Sequence, residues 1–175
     1  MVKIYAANIA EKDYIAGTEE IMSPNRLEKY RAIGNEEQKK QCAAVAWLLY
    51  YAGIAESKGE KGKPIADKGY ISISHSGDWA LLAVSDSPVG VDIEKYRALN
   101  EAAIAQKKFT LAERQSGEDF FQIWVKKESM LKKSGLGICE LSRDTSEHSF
   151  LILPDFSGYA AALCTDETEY EIIKK

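Results

Sequence analysis

Three short, mostly apolar segments between residues 70 and 94 constrain the fold more than any other part of the sequence. The predicted strands are residues 70–74, 79–85 and 89–94, separated by the turn sequences HSGD and DSP. Antiparallel strands can follow one another through such short turns, whereas parallel strands need crossover connections of a dozen residues or more. The segment therefore predicts a three-stranded antiparallel meander.

Helical segments flank this region on both sides. Ser23 followed by Pro24 is typical of a helix start, and Gly34-Asn35 interrupts the helix that follows. Residues 110–113 (TLAE) form a capping-box pattern, which predicts the start of a short helix. The other predicted elements are a strand at 2–9, a helix at 36–51 ending near Gly53, a loop at 57–69, a helix at 120–134 closed by Gly135 and Gly137, and strand-like segments from about residue 141 that end at 159–165.

The composition is that of an ordinary soluble globular protein, with 45% hydrophobic and 29% charged residues among 175. The net charge of −4 gives no support for a nucleic-acid partner. The longest uncharged run, residues 42–55, has 14 residues and is shorter than the ~20 that span a bilayer. We recognise no signal peptide, and we expect a cytoplasmic protein with no membrane partner.

Cysteine and histidine are too few and too scattered to organise the fold. Cys42, Cys139 and Cys164 lie far apart, and the sequence has only two histidines. A disulfide framework, a structural zinc site and a metal site built from histidines are therefore not expected.

Charges on the third predicted strand break its apolar pattern. Side chains alternate between the two faces of a strand, so Asp92 and Glu94 share one face, with about 7 Å between them along the strand. Two carboxylates this close repel each other unless a cation lies between them. A half-exposed strand with polar residues facing water explains the spacing as well.

The predicted helix at 120–134 carries charges on its apolar face. At about 100° per residue, Lys127 and Glu128 fall inside the apolar arc, and Lys132 lies at its edge, one turn after Glu128. An ion pair between Glu128 and Lys132 at i, i+4 spacing accounts for Lys132 but leaves Lys127 facing inward without a reason.

Three carboxylates together with inward lysines indicate a site for a phosphorylated ligand. Magnesium prefers oxygen ligands and commonly joins a few carboxylates to substrate phosphates. Lysine supplies a point charge for the remaining phosphate oxygens. The residues alone predict a magnesium-dependent phosphate site and do not specify the reaction.

The sequence resembles the 4'-phosphopantetheinyl transferases of the surfactin-synthetase-activating type. The motifs that carry the resemblance are KP at 63–64 with ISISHSG at 71–77, GVDIEK at 90–95, WVKKESMLK at 124–132 with Gly135, and the basic helix that starts with SPNRLEK at 23–29. The ordered set covers nearly the whole chain. The resemblance implies transfer of the phosphopantetheine arm of coenzyme A to a serine of an apo acyl- or peptidyl-carrier protein, with release of adenosine 3',5'-bisphosphate.

The resemblance also implies the site residues. Asp92, Glu94 and Glu128 match carboxylates that bind magnesium, for which manganese substitutes. Lys127 and Lys132 match lysines that contact the pyrophosphate, and both are expected to take part in catalysis. Glu128, or a water held by the carboxylates, is the expected base for the carrier serine.

The nucleotide end of coenzyme A requires its own contacts. The residues that match contacts near the 3'-phosphate are Arg26, Lys29, Ser74 and His75, and Lys63 matches a contact on the adenine side. The family usually carries an arginine in the second helix, and Gln41 stands there in this chain. Phosphate or carrier binding by that helix is therefore in doubt.

The expected fold is α+β, with two similar α/β halves related by a pseudo-twofold axis, each a small, mainly antiparallel sheet packed on a long helix. HSGDWALLAVSD at 75–86 is similar to FSGYAAALCTD at 156–166, which two related halves explain and chance explains about as well. The halves are residues 1–95 and 96–175, with the site between them in a monomer. Two other functions remain open: a module that binds coenzyme A or a carrier without chemistry, and a different magnesium-dependent phosphate-transfer or hydrolysis enzyme.

Overall fold

The computed structural model describes residues 1–59, 63–135 and 140–175, and its mixture of helices and sheets confirms the α+β class. Its helices are α1 (Thr18–Ile21), α2 (Pro24–Ala32), α3 (Glu36–Ala52), α4 (Glu101–Lys108), α5 (Leu111–Gln115) and α6 (Phe120–Ser134). Its strands are β1 (Val2–Asn8), β2 (Glu56–Lys58), β3 (Pro64–Ala66), β4 (Tyr70–Ser76), β5 (Trp79–Ser85), β6 (Gly90–Lys95), β7 (Phe150–Ile152), β8 (Tyr159–Cys164) and β9 (Tyr170–Lys174).

The predicted helix ends are confirmed by their capping contacts. Ser23 accepts a hydrogen bond from the backbone N–H of Arg26 at the start of α2, and Thr110 and Glu113 form both bonds of a capping box at α5. Gly53 closes α3 and Gly135 closes α6, both in the left-handed region that glycine adopts without strain. Gly137, the second glycine predicted at this end, and Cys139 lie outside the described residues.

The larger sheet has the strand order β4-β5-β1-β9 and packs against α3. Strands β4 and β5 form the predicted antiparallel hairpin, and β1 pairs with β5. The parallel strand β9 was not predicted, nor were α1 and α4. The predicted loop at 57–69 contains the β2–β3 hairpin except for its first residue, Glu56. The buried side chains of α3 and the sheet form one apolar core.

The predicted three-stranded meander is wrong at its third strand. Strand β6 pairs with β8 rather than with β5, so it belongs to a second sheet of order β6-β8-β7, against which α6 packs. A Cβ atom at Gly90 would lie 1.8 Å from the Ser129 carbonyl oxygen, so only glycine allows β6 and α6 to approach this closely.

Serine side chains join the two sheets between β4 and β6. The hydroxyls of Ser72, Ser74 and Ser76 accept hydrogen bonds from the backbone N–H groups of β6, at 3.0, 3.3 and 3.1 Å. These three serines alternate along β4, so all of them face β6. The serine ladder fixes the position of β6, and therefore of its carboxylates, relative to β4.

The four-stranded sheet thus packs on α3 and the three-stranded sheet on α6, as the two-half prediction requires. The pseudo-twofold relation and the division at residue 95 stay predictions, and β9 belongs to the same sheet as β1. Cys42 and Cys164 are buried free thiols. Among the described residues, no helix is both long and apolar enough to cross a membrane.

Candidate active site

A cavity of about 970 Å³ lies where α2, α3, β4, β6 and α6 meet. Eight of the ten residues predicted for the site line this cavity: Arg26, Lys29, Ser74, His75, Asp92, Glu94, Glu128 and Lys132. We call the side chains of Asp92, Glu94, Glu128 and Lys132 the acidic wall, and those of Arg26, Lys29 and Glu56 the α2 wall. Residues far apart in the sequence therefore converge on one cavity.

Asp92 is the most buried carboxylate of the acidic wall, with 4% of the residue exposed. Its Oδ1 atom accepts hydrogen bonds from Ser74 Oγ at 2.8 Å and from Lys132 Nζ at 2.6 Å, whereas Oδ2 is buried and has no partner among the described residues. Burial raises the pKa of Asp92, and the charge of Lys132 opposes this shift. An unpartnered buried oxygen beside a charged group is costly unless a ligand completes its contacts.

Glu94 and Glu128 place further negative charge beside Asp92. Glu94 Oε2 accepts hydrogen bonds from Ser76 Oγ at 3.1 Å and from Arg97 Nη1 at 2.7 Å. Burial raises the pKa of Glu128 to about 7, the charges of Asp92 and Glu94 add to the shift, and Lys132 opposes it. The three carboxylates therefore interact electrostatically across the wall.

The donor set of this wall suits a hard divalent cation, which takes carboxylate oxygens as ligands. Asp92 Oδ2 has no partner among the described residues. A bound cation would relieve the repulsion from Asp92 and Glu94, which adds to the effect of burial on the pKa of Glu128. As they stand, however, no three histidine, cysteine, aspartate or glutamate side chains in the described ranges are grouped closely enough to hold a metal ion. The predicted magnesium site therefore stays a prediction.

His75 lies between cations of both walls. Burial lowers the pKa of His75, and the charges of Lys132, Lys29 and Arg26 lower it further, in that order, against a small opposing effect of a backbone hydrogen bond. The imidazole is therefore neutral at pH 7, where it can donate one N–H to a ligand without adding charge.

The α2 wall contains an ion pair that no sequence pattern indicates. Arg26 Nε donates to Glu56 Oε1, and Arg26 Nη2 donates to Glu56 Oε2 at 2.6 Å. Ser23 Oγ, the cap of α2, also contacts Glu56 Oε1 at 3.4 Å. Glu56 begins β2, one residue before the segment predicted as a loop, and neither periodicity nor a motif marks it.

Comparison with curated proteins identifies relatives of the chain. It is 31% identical over 164 residues to a 4'-phosphopantetheinyl transferase of Bacillus subtilis, a match covering 78% of this chain and 72% of that protein. A 4'-phosphopantetheinyl transferase of Bacillus pumilus is 39% identical over 98 residues, covering 49% of this chain and 41% of the relative. A third, from Salmonella typhimurium, is 36% identical over 91 residues, covering 44% and 47%.

The chain belongs to the 4'-phosphopantetheinyl transferase family. This confirms the resemblance drawn from the motifs. The matched segments span less than half the length of the Bacillus pumilus and Salmonella typhimurium transferases. No family model matches the chain.

Two lysines assigned from the transferase motifs do not line the cavity. Lys127 is fully buried, and its Nζ donates to both carboxylate oxygens of Glu113 at 2.8 Å and to the Arg143 carbonyl at 2.6 Å. Lys63 Nζ donates to the Lys133 carbonyl at 2.9 Å, and burial lowers the pKa of Lys63. The sequence placed Lys127 inward correctly, but its contact with pyrophosphate and the adenine contact of Lys63 remain predictions.

Gln41, which replaces the usual arginine of the transferases, is buried and lies outside the cavity lining. Its Nε2 donates to the Gly77 carbonyl at 2.8 Å and contacts Glu37 Oε1 at 3.4 Å. The side chain therefore ties α3 to the β4–β5 turn.

Proposed function

We propose that this chain transfers the 4'-phosphopantetheine arm of coenzyme A to a serine of an apo acyl- or peptidyl-carrier protein, with release of adenosine 3',5'-bisphosphate. The observation that carries the proposal is the convergence of three carboxylates and Lys132 with the basic residues of α2 on one cavity. Family membership supports the class of reaction. The cavity is large enough for a ligand of coenzyme A's size, since small-molecule sites commonly enclose about 300–1,000 Å³.

Magnesium, with manganese as a substitute, is the metal we assign to the acidic wall. Asp92, Glu94 and Glu128 are the residues that would hold it, and the unpartnered Oδ2 of Asp92 supports this choice. The ion, when bound, supplies Lewis-acid polarisation of the diphosphate.

The transfer makes one bond and breaks another at the same phosphorus. The carrier serine oxygen bonds to the phosphorus that bears pantetheine, and the bond from that phosphorus to the adenosine bisphosphate oxygen breaks with its electron pair. The serine proton passes to Glu128, or to a water held by the carboxylates. A pKa of about 7 suits Glu128 for accepting a proton near neutral pH. Lys132 stabilises the charge on the departing phosphate.

We assign recognition of the nucleotide's 3'-phosphate to Arg26, Lys29, Ser74 and His75. All four line the cavity. The neutral imidazole of His75 donates a hydrogen bond, Lys29 supplies positive charge, and Arg26 donates through the N–H groups that Glu56 does not occupy.

We further infer that the chain acts as a monomer in the cytoplasm. One copy contributes both the acidic wall and the α2 wall, so this cavity needs no residue from a second chain. Size-exclusion chromatography with light scattering tests the monomer, since a stable dimer would contradict it.

Mass spectrometry of a carrier protein tests the reaction. The chain is incubated with coenzyme A, magnesium and an apo carrier, and the carrier is expected to gain the mass of the phosphopantetheine arm. Binding of coenzyme A without carrier modification, across a panel of fatty-acid, polyketide and peptide-synthetase carriers, would favour a binding module. Release of phosphate or nucleotide without carrier modification would favour a hydrolytic or different transfer enzyme.

A further inference from the structure

The positive charge of Arg26 is already matched within the cavity. Glu56 holds the guanidinium through two atoms, Nε and Nη2, and the side chains of the pair are only 11% and 9% exposed. Bidentate arginine–carboxylate pairs fix both the orientation and the charge of the guanidinium. The hydroxyl of Ser23, at the start of α2, also contacts Glu56, so the Glu56 carboxylate is positioned by two residues of the α2 region.

The remaining charge on the α2 wall is small. Lys29 lines the cavity, is exposed, and has no carboxylate within ion-pair distance in the part of the chain that the structure describes. Glu28 also lines the cavity and is exposed. Because the Arg26–Glu56 pair is neutral as a unit, Lys29 is the main cation that this wall offers to a phosphate.

We propose that Glu56 is a specificity-determining residue that withholds the charge of Arg26 from the nucleotide's 3'-phosphate, so that the chain discriminates weakly between coenzyme A and 3'-dephospho-coenzyme A. The inference rests on the proposed function, which assigns the 3'-phosphate to this wall. A phosphate that approaches Arg26 meets the carboxylate of Glu56, whose negative charge repels it. Only the guanidinium N–H groups that Glu56 leaves free can donate to the phosphate.

Titration calorimetry with both nucleotides measures this effect. In the wild-type chain, the dissociation constants of coenzyme A and 3'-dephospho-coenzyme A are expected to differ by less than about tenfold, the worth of one charge-assisted hydrogen bond. Glu56→Gln keeps the size of the side chain and removes its charge. This variant should bind coenzyme A about tenfold more tightly, with less than about a twofold change for 3'-dephospho-coenzyme A.

Glu28→Gln is the matched control, because it removes the same charge from the same cavity without touching Arg26. Exposed charges are screened by salt, so affinities for both nucleotides should change by less than about twofold. In Arg26→Gln/Glu56→Gln, which removes both charges of the pair, the gain should vanish and coenzyme A affinity should stay within about threefold of wild type. This double variant also tests the proposal if Glu56→Gln leaves the buried arginine uncompensated and fails to fold.

Several results would overturn the inference. A selective loss of coenzyme A affinity in Glu56→Gln would mean that Glu56 orients Arg26 for phosphate binding. Equal changes for the two nucleotides would show a general charge effect. A loss above about tenfold in the double variant would show that Arg26 offers its full charge to the phosphate in the wild-type chain despite its pair with Glu56. Failure of the proposed function looks different, since the wild-type chain would then bind neither nucleotide or modify no carrier.

Discussion

Two cation–carboxylate pairs, Lys132–Asp92 and Arg26–Glu56, face the same cavity, but they differ in the charge that surrounds them. The Arg26–Glu56 pair is nearly buried and balanced, with both carboxylate oxygens bonded. At the acidic wall, Lys132 donates to one oxygen of Asp92, and the other oxygen has no partner in the part of the chain that the structure describes.

This difference in charge balance indicates that the acidic wall, rather than the α2 wall, would gain most from binding a cation. Glu94 and Glu128 lie beside Asp92. Burial raises the pKa of Glu128, and the charges of Asp92 and Glu94 raise it further. Buried groups with strongly perturbed pKa values cluster at functional sites because ligand binding relieves the strain that shifts them. The acidic wall therefore has an excess of negative charge that a cation would relieve, whereas the α2 wall is largely satisfied without ligand.

Among changes at the acidic wall, Asp92→Asn should reduce turnover in carrier modification the most. The amide keeps the size of the side chain and a bond to Ser74 but removes the charge that would hold a cation. Turnover in carrier modification is expected to fall by at least about 100-fold. Coenzyme A binding should survive in part, because the α2 wall is unchanged, and calorimetry measures it separately.

Asp78→Asn is the control for this charge removal. Asp78 is half-exposed and pairs with Lys95 at the surface, outside the cavity lining. Exposed pairs contribute little, so turnover should stay within about twofold of wild type. Unchanged turnover in Asp92→Asn would remove Asp92 from the proposed metal site.

Lys127→Met extends the comparison to a third pair, which lies outside the cavity. Because Lys127 is fully buried, its removal leaves the Glu113 carboxylate without its cation, and the free energy of unfolding should fall by about 3 kcal/mol. Urea unfolding measures the loss. Lys126→Met is the control at the neighbouring position, where a partly exposed pair with Glu118 predicts a change below about 1 kcal/mol.

The outcome at Lys127 also tests the role assigned from the motif. A stable Lys127→Met variant with weakened coenzyme A binding would favour direct contact with pyrophosphate. A destabilised variant whose folded fraction binds coenzyme A normally would favour a structural role through Glu113.

Lys29→Ala tests whether coenzyme A binding depends on the α2-wall cation that has no ion-pair partner among the described residues. Loss of one charged contact should weaken coenzyme A binding by about tenfold, with a smaller effect on turnover at saturating substrate. Lys40→Ala is the control, because Lys40 pairs with Glu36 at the surface and does not line the cavity. An unchanged dissociation constant in Lys29→Ala would place the 3'-phosphate elsewhere.

Local sequence signals predicted most of the described helices, whereas the motif resemblance supplied half of the eight predicted residues that line the cavity. Helix ends depend on neighbouring residues, so Ser23, Gly53 and the Thr110 capping box were recognisable without the fold. Charges inside an apolar arc identified Glu128 and the inward direction of Lys127 in the same way. These signals are local because caps and helical periodicity act within one or two turns.

Pairing between distant segments could not be predicted in this way. A short turn favours a hairpin, but β6 leaves β5 and joins β8, because serine hydroxyls of β4 replace sheet hydrogen bonds at β6. The alternation of serines along β4 can be read from the sequence, but the strand that they face cannot be predicted from it. Glu56 was missed for the same reason, since its partner is 30 residues away.

Glu128→Gln should change the free energy of unfolding less than Lys127→Met does, and its pH dependence tests the excess charge of the acidic wall directly. The folded pKa of Glu128, about 7, lies above its ordinary value of 4.5. The protonated carboxyl therefore favours folding below about pH 4.5, and this contribution is lost as pH rises through about 7. Because the group is partly exposed, solvent screening reduces the expected size of this contribution to about 1 kcal/mol.

Without divalent cations, the wild-type chain should lose about this much unfolding free energy relative to Glu128→Gln between about pH 5 and pH 8. Chemical unfolding with EDTA present measures the difference, and Glu19→Gln, at an exposed position, should show none. Added magnesium should reduce the difference at pH 8, because a cation relieves the repulsion that the glutamine removes. If the difference in unfolding free energy between the wild-type chain and Glu128→Gln is the same at all pH values, the acidic wall has no more unbalanced charge than the α2 wall. The two walls would then not differ as argued above.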